Sequence, residues 1–209
     1  IRYLLSKKKK LIISTGATDI KDINLLIKLI KKKYSTKNIS LLHCISYYPA
    51  PLESLNLTVI QTLNKKFKLD IGFSDHSIDL KSGAFAVMLG AKIIEKHITL
   101  NKNLFGPDHK ASLTPNELKI YVDNIRDAES SLGDGLKKVE KIEKKTKKNM
   151  QKSLITNKNL KKGVKIKYSQ ISSMRPATGI NPLFIDYVVN RKIKKNKKKG
   201  DILFWNDLK

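Results

Sequence analysis

Residues 70–97, DIGFSDHSIDLKSGAFAVMLGAKIIEKH, decide the fold. Asp70 to Phe73 is a short apolar run, Leu80 to about Leu89 a helical stretch, and Ala91 to Glu95 a second apolar run. Runs of this length bounded by turn signals read as buried strands. Each breaks off into a polar triad, Ser74-Asp75-His76 and Glu95-Lys96-His97.

The same alternation extends outward. Upstream, Leu11 to Ser14 reads as a strand and Thr15-Gly16 as the turn that ends it. Asp19 to Lys33 carries Ile20, Ile23, Ile27 and Ile30 at helical spacing, with Lys31 to Lys33 at the favourable end of the helix dipole. Ile39 to Cys44 is the next strand and Leu55 to Phe67 the next helix. Downstream, Thr114-Pro115-Asn116-Glu117 opens a helix with a capping threonine, a proline at the first position and a glutamate at the third; Gly133 ends it. Continuous apolar strands alternating with helices imply a parallel sheet covered by helices, an α/β fold.

Four strand–helix units cannot close an eight-stranded barrel. They span roughly 120 residues against a typical ~250. Two readings stay open: half a barrel, or a small open sheet complete in itself. The chain opens on Ile1 rather than Met, so it is expected to begin inside a longer protein.

Residues 137–152 form a charged segment, helical or linker-like, and an internal repeat lies beyond it. Lys158-Asn159-Leu160-Lys161-Lys162-Gly163 matches Lys195-Asn196-Lys197-Lys198-Lys199-Gly200, and Ile171 and Leu208 follow at equal distance. Each copy reads as a polar turn followed by a short strand, Val164 to Lys167 and Asp201 to Phe204. That points to a small β-rich domain.

Composition narrows the function classes. The 209 residues are 40% hydrophobic, enough for a packed core, and no apolar run approaches a membrane span. The single Cys44 excludes an internal disulfide and fits a cytoplasmic protein. A net charge of +25 raises a nucleic-acid or polyanion-binding reading. Only four of the 43 basic residues are arginine, however, and the lysines fall in runs mixed with Ile and Asn, as solvated faces do. Tight DNA binding that falls steeply with salt would favour the polyanion reading.

The chemistry-bearing residues collect at one edge. Ser14-Thr15-Gly16, Ser46-Tyr47-Tyr48-Pro49 and the two triads all follow the C-terminal ends of strands, where parallel α/β folds build their sites. His76 and His97 end consecutive strands about 4.8 Å apart, close enough for two imidazoles to meet one ion. Completed by oxygens, that pair suits Mn²⁺, Co²⁺ or Zn²⁺; two histidines merely capping strand ends is the alternative. Glu95 and Asp75 are candidates to orient the rings. The turn Gly106-Pro107-Asp108-His109 can present Asp108 to substrate hydroxyls, or be a plain Asp-capped turn. Tyr48 precedes a proline in an extended loop and faces either a ligand or the core. His43 and Cys44 read as packing residues. Arg175, held by Pro176 and Gly179, offers a positioned fork or bridges loop carbonyls.

These motifs together resemble the sialic acid synthases, which make N-acetylneuraminate, legionaminate or pseudaminate. The matching residues are Ser14-Thr15-Gly16, Leu41 to Cys44, Tyr48-Pro49-Ala50-Pro51, Gly72 to His76 and Glu95-Lys96-His97. Gly106 to Leu113, Leu132-Gly133-Asp134-Gly135, Arg175-Pro176 and Thr178-Gly179-Ile180 match as well.

The resemblance implies the last four strand–helix units of a TIM barrel over 1–136, a linker over 137–152 and an antifreeze-like domain over 153–209. It implies condensation of phosphoenolpyruvate with N-acetylmannosamine or a related N-acylated amino sugar, with release of phosphate. On it, His76 and His97 hold a divalent metal, usually manganese. Ser46 and Ser74 match positions near the phosphoenolpyruvate phosphate. Tyr48 and Asp108 match the sugar-binding region and are the candidate catalytic side chains. Arg175 matches an arginine reaching the N-acyl group across a domain-swapped homodimer. The family's first four strands have no counterpart here, so the chain alone is expected to be inactive. Ala177 and Ile98 stand where the family commonly has glycine and phenylalanine. A non-catalytic scaffold on a degenerate barrel is a further alternative.

Overall fold

Four parallel strands lie side by side in chain order: β1 (Leu11–Ser14), β2 (Ile39–Cys44), β3 (Asp70–Asp75) and β4 (Ile94–Lys96). Each crossover is a helix: α2 (Ile20–Lys31), α3 (Val59–Phe67) and α4 (Ser82–Met88). A short α1 (Arg2–Ser6) precedes the sheet and α5 (Pro115–Leu132) follows it. This is a computed structural model describing residues 1–7 and 9–209. Sequential order with no strand reversal is the arrangement of a partial (β/α) barrel, not of a doubly wound sheet.

The local causes are those the sequence announces. Asp19 accepts from the Lys21 and Asp22 amides at 2.6 and 3.0 Å, and Asp22 returns the bond to the Asp19 amide. Thr114 and Glu117 make the same reciprocal cap on α5. Ile23, Ile27 and Ile30 of α2 and Ile60, Leu63 and Phe67 of α3 pack on the fully buried Leu41, Ile71 and Phe73 of the sheet. Each such side chain contributes about 1.5–3 kcal/mol on burial. A second cluster joins Val87 of α4 to Tyr121 and Ile125 of α5.

Two strands run differently from expectation. β3 continues two residues beyond Phe73, and β4 is Ile94–Lys96, not Ala91 to Glu95. Pairing of Ser74 with Glu95 and Asp75 with Lys96 carries the ladder into the polar triads. Polar residues complete the strands because each finds a partner across the pair.

Residues 1–135 form one compact unit and residues 136–209 another. The second opens on a 3₁₀ turn, Lys141–Glu143, and α6 (Lys144–Met150), then pairs β5 (Ser153–Thr156) antiparallel with β6 (Ile171–Met174). A short α7 (Ile185–Val188) follows. Val164 to Lys167 and Asp201 to Phe204 are single bridges, not strands, because their hydrogen bonds cross to the other repeat copy.

That exchange has two-fold character at an offset of 37 residues, as between Asn159 and Asn196. Leu160 and Lys197 trade amide-to-carbonyl bonds at 2.8 Å. Asn196 Oδ1 accepts from the Lys162 amide and Asn159 Oδ1 from the Lys199 amide, both at 2.8 Å. Gly163 donates to the Ile193 carbonyl as Gly200 donates to that of Thr156, both at 2.7 Å. Leu154, Leu160, Ile166, Ile171, Ile193, Leu203 and Leu208 fill the core between the copies. No helix among the described residues is long and apolar enough to cross a membrane.

Candidate active site at the ends of the third and fourth strands

Side chains of a strand alternate between its faces, and that rule sorts the two triads. Ser74 pairs with Glu95, Asp75 with Lys96, and His76 and His97 come next in line. Ser74, Glu95 and the two histidines share one face of the sheet. Asp75 and Lys96 take the other, against α4 and α5.

On the first face, Ser74 Oγ donates to Glu95 Oε1 at 2.6 Å. The His76 and His97 ring centroids are 5.6 Å apart. His76 Nδ1 lies 2.7 Å from the Ile45 carbonyl oxygen, which only accepts, so Nδ1 carries a proton, and in the neutral ring Nε2 presents its lone pair. Around that lone pair stand the Tyr48 hydroxyl at 3.2 Å and Ser74 Oγ at 3.3 Å. The one Ser74 proton is committed to Glu95. Lone pairs therefore outnumber donors at this point, as they do where a cation binds. His76 and His97 are the pair that could hold a metal; among the described residues no third His, Cys, Asp or Glu joins them.

The loop after β2 is clamped to His76 from both sides. Ile45 accepts from its ring, and the Ala50 amide donates to its backbone carbonyl at 2.9 Å. Between these clamps the Tyr48 ring stacks on His76 at 4.1 Å and meets His97 edge-on at 5.7 Å. Partial burial raises the Tyr48 hydroxyl pKa, and the neighbouring ionisable groups Cys44, Asp108 and Glu95 add to the rise. Asp108 is thus within electrostatic reach of Tyr48. Its loop is held by Ser112 Oγ, which donates to the Asp108 carbonyl at 2.7 Å, and by a 2.8 Å bond between Thr99 and His109.

Ser46 is exposed beyond β2. Gly16 packs beneath it so closely that a Cβ would collide with Ser46 Oγ and lie 2.8 Å from Cys44 Sγ. Cys44 is a buried thiol whose pKa burial pushes up. His43 Nε2 donates to the Leu55 carbonyl oxygen, 2.8 Å away, and burial lowers its pKa; it packs within the strand as expected. Arg175 belongs to the second unit, where its Nε donates to the Met150 carbonyl at 2.9 Å.

Asp75 departs from expectation, since it does not orient an imidazole. It is 1% exposed on the helix face. Its Oδ1 accepts from the Ser77 amide and hydroxyl at 2.8 and 2.7 Å. Its Oδ2 accepts from Ser82 at 2.5 Å and Tyr121 at 2.7 Å and pairs with Lys96 Nζ at 3.1 Å. Lys96 also donates to the Ser77 carbonyl. Burial lowers the Lys96 pKa although Asp75 opposes it, and burial followed by Asp75 raises that of Tyr121. The sequence held one unused signal for this network. Ser74 and Glu95, Asp75 and Lys96, and His76 and His97 share a single spacing of 21 residues, as side-by-side positions on parallel strands must.

A family model described as the NeuB family matches residues 1–137. The chain is 39% identical over 204 residues to the N,N'-diacetyllegionaminic acid synthase of Campylobacter jejuni, covering 97% of this chain and 61% of that one. It is 36% identical over 208 residues to the pseudaminic acid synthase of the same species, covering 99% and 60%. The chain therefore spans about three fifths of the length of these curated relatives. Among solved structures, a putative spore coat polysaccharide biosynthesis protein E from Chromobacterium violaceum superposes with a TM-score of 0.81, covering 100% of this chain and 63% of that one. At 21% identity that likeness shows the fold alone.

Proposed function

The chain belongs to the NeuB family, and from that premise we propose that it is part of a synthase condensing phosphoenolpyruvate with an N-acylated amino sugar. The observation that carries the reading is the lone-pair-rich point between Tyr48, Ser74 and His76, with His97 beside it.

The donor set fits a divalent ion of the manganese class: imidazole nitrogens from His76 and His97, the other positions falling to oxygens of water and substrate. When bound, such an ion supplies Lewis-acid polarisation of the sugar aldehyde. The chain's own residues supply the rest. The Ile45 carbonyl holds the His76 tautomer, and Glu95 draws the Ser74 proton away from the ring. Ser46 and Ser74 are assigned to the phosphoenolpyruvate phosphate, Tyr48 and Asp108 to the sugar. Arg175 is assigned to the N-acyl group across a domain-swapped homodimer, and the second unit to an antifreeze-like domain, which its internal repeat supports.

The condensation has one leaving group. The methylene carbon of phosphoenolpyruvate bonds to the aldehyde carbon, whose oxygen takes up a proton; water adds at the carbon bearing the phosphate, losing a proton, and phosphate departs by C–O cleavage. The name of the N,N'-diacetyllegionaminic acid synthase supports a diacetylated amino sugar as an alternative to N-acetylmannosamine. Phosphate release by the full-length protein, with phosphoenolpyruvate, Mn²⁺ and each sugar in turn, tests both readings. Release above background with either sugar is expected; none with any amino sugar would sink the proposal.

A further inference from the structure

Three side-by-side polar pairs follow one another at the ends of β3 and β4, and the middle one, Asp75 with Lys96, faces the helices, as the apolar Phe73–Ile94 pair before them does. Its side chains are 0% and 4% exposed. The outer pairs carry the proposed chemistry and lie on the half-open face. β4 itself is three residues long, sits at a sheet edge, and is nowhere fully buried. Such a strand specifies its register weakly by burial alone, yet a slip of one residue would turn every side chain to the opposite face.

The middle pair removes that freedom. A one-residue slip would drive Lys96 to the site face and leave the Asp75 charge buried without its cation, which is strongly destabilising. A two-residue slip would move Lys96 by about 6.6 Å, out of reach of Asp75. Tyr121 and Ser82 fix the carboxylate from α5 and α4, so the register is referred to the helix layer. Gly83 permits this, because a Cβ there would collide with the Tyr121 hydroxyl.

We infer that Asp75 and Lys96, braced by Tyr121 and Ser82, are positioning residues that keep His97 level with His76 and Glu95 level with Ser74. The catalytic consequence rests on the function proposed above; the register claim itself does not. Two readouts in the full-length protein separate them. Neighbouring parallel strands put the histidine backbones about 4.8 Å apart, within disulfide reach. In a Cys44→Ser background, His76→Cys with His97→Cys should therefore cross-link readily.

Adding Asp75→Asn with Lys96→Met, which removes both charges at similar volume, should slow cross-linking at least about tenfold. Without the engineered cysteines, the same double variant should weaken Mn²⁺ binding about 10–100-fold, as loss of an outer-shell orienting group does. Folded double variant with unchanged cross-linking overturns the inference. If that variant does not fold, Tyr121→Phe replaces it, and unchanged cross-linking there overturns the inference equally. Slowed cross-linking together with parental Mn²⁺ binding by His76→Ala sustains the register role and defeats the metal reading.

Discussion

The Tyr48 ring lies on the His76 imidazole at 4.1 Å with 28° between planes, and its hydroxyl reaches Nε2 of the same ring at 3.2 Å. One side chain thus both walls the imidazole and hydrogen-bonds its free nitrogen. Tyr48→Phe keeps the wall and deletes the bond, whose net worth is about 1 kcal/mol. Mn²⁺ affinity measured by titration should change by less than about tenfold, with the melting temperature nearly unchanged. Tyr48→Ala should lose stacking worth about 0.5–1.5 kcal/mol more.

Gly16 lies under Ser46 and Cys44 with no room for a methyl group. Gly16→Ala should cost about 1–3 kcal/mol, the range for overpacking, and displace Ser46. A thermal melt reads the first effect. If Ser46 meets the phosphate of phosphoenolpyruvate, KM for that substrate rises while the KM for the sugar stays put.

Glu117 is tied to Lys102 at 2.6 Å and caps α5. The Lys102 hydrogen bond first, then that from the Thr114 backbone, lowers its pKa from 4.5 to about 2. A depressed carboxyl pKa stabilises the fold above 4.5, and this contribution is lost as pH falls toward 2. Lys102→Met should move the Glu117 titration upward in an NMR pH series and make α5 melt at higher pH than in the parent. A titration that stays near 2 would leave Lys102 without the part given to it here.

Asp207 is buried at 2% exposure between Lys197 at 2.6 Å and Lys195 at 3.1 Å. Burial raises its pKa, but bonds from Lys197, the Phe204 backbone and Lys195 outweigh that and hold it below the ordinary value of 3.8. Its stabilisation is therefore present above pH 3.8 and disappears as pH drops through the lower folded value. Asp207→Asn leaves the buried Lys197 ammonium uncompensated and should destabilise the second unit by about 3 kcal/mol. Adding Lys197→Leu, the residue type at the equivalent Leu160, should recover most of that loss in urea denaturation.

Much of this architecture could be read directly. The apolar runs at Ile39 and Asp70 became strands buried on both faces, which needs continuous hydrophobicity; the run at Leu11 became a strand exposed on alternate residues, and Thr114 with Glu117 announced α5 through their own chemistry. The polar ends of β3 and β4 were harder, since Asp75 and Lys96 look like surface residues until their strands are set side by side. Tyr121, 46 residues from Asp75, could not be joined to the site by any local pattern. The strands expected at Val164 and Asp201 failed for a related reason: their amides are satisfied by the distant copy. What stayed open from pattern alone, half a barrel or a complete open sheet, was narrowed by the sequential strand order and by the family match.

The paired exchanges of the second unit give it the contact logic of an isologous dimer, in which each partner offers the other the same patch. Here both partners are joined in one covalent chain. The bonds that pass between the copies satisfy backbone groups on both at once, so a break in one copy leaves amides and carbonyls of the other unpaired.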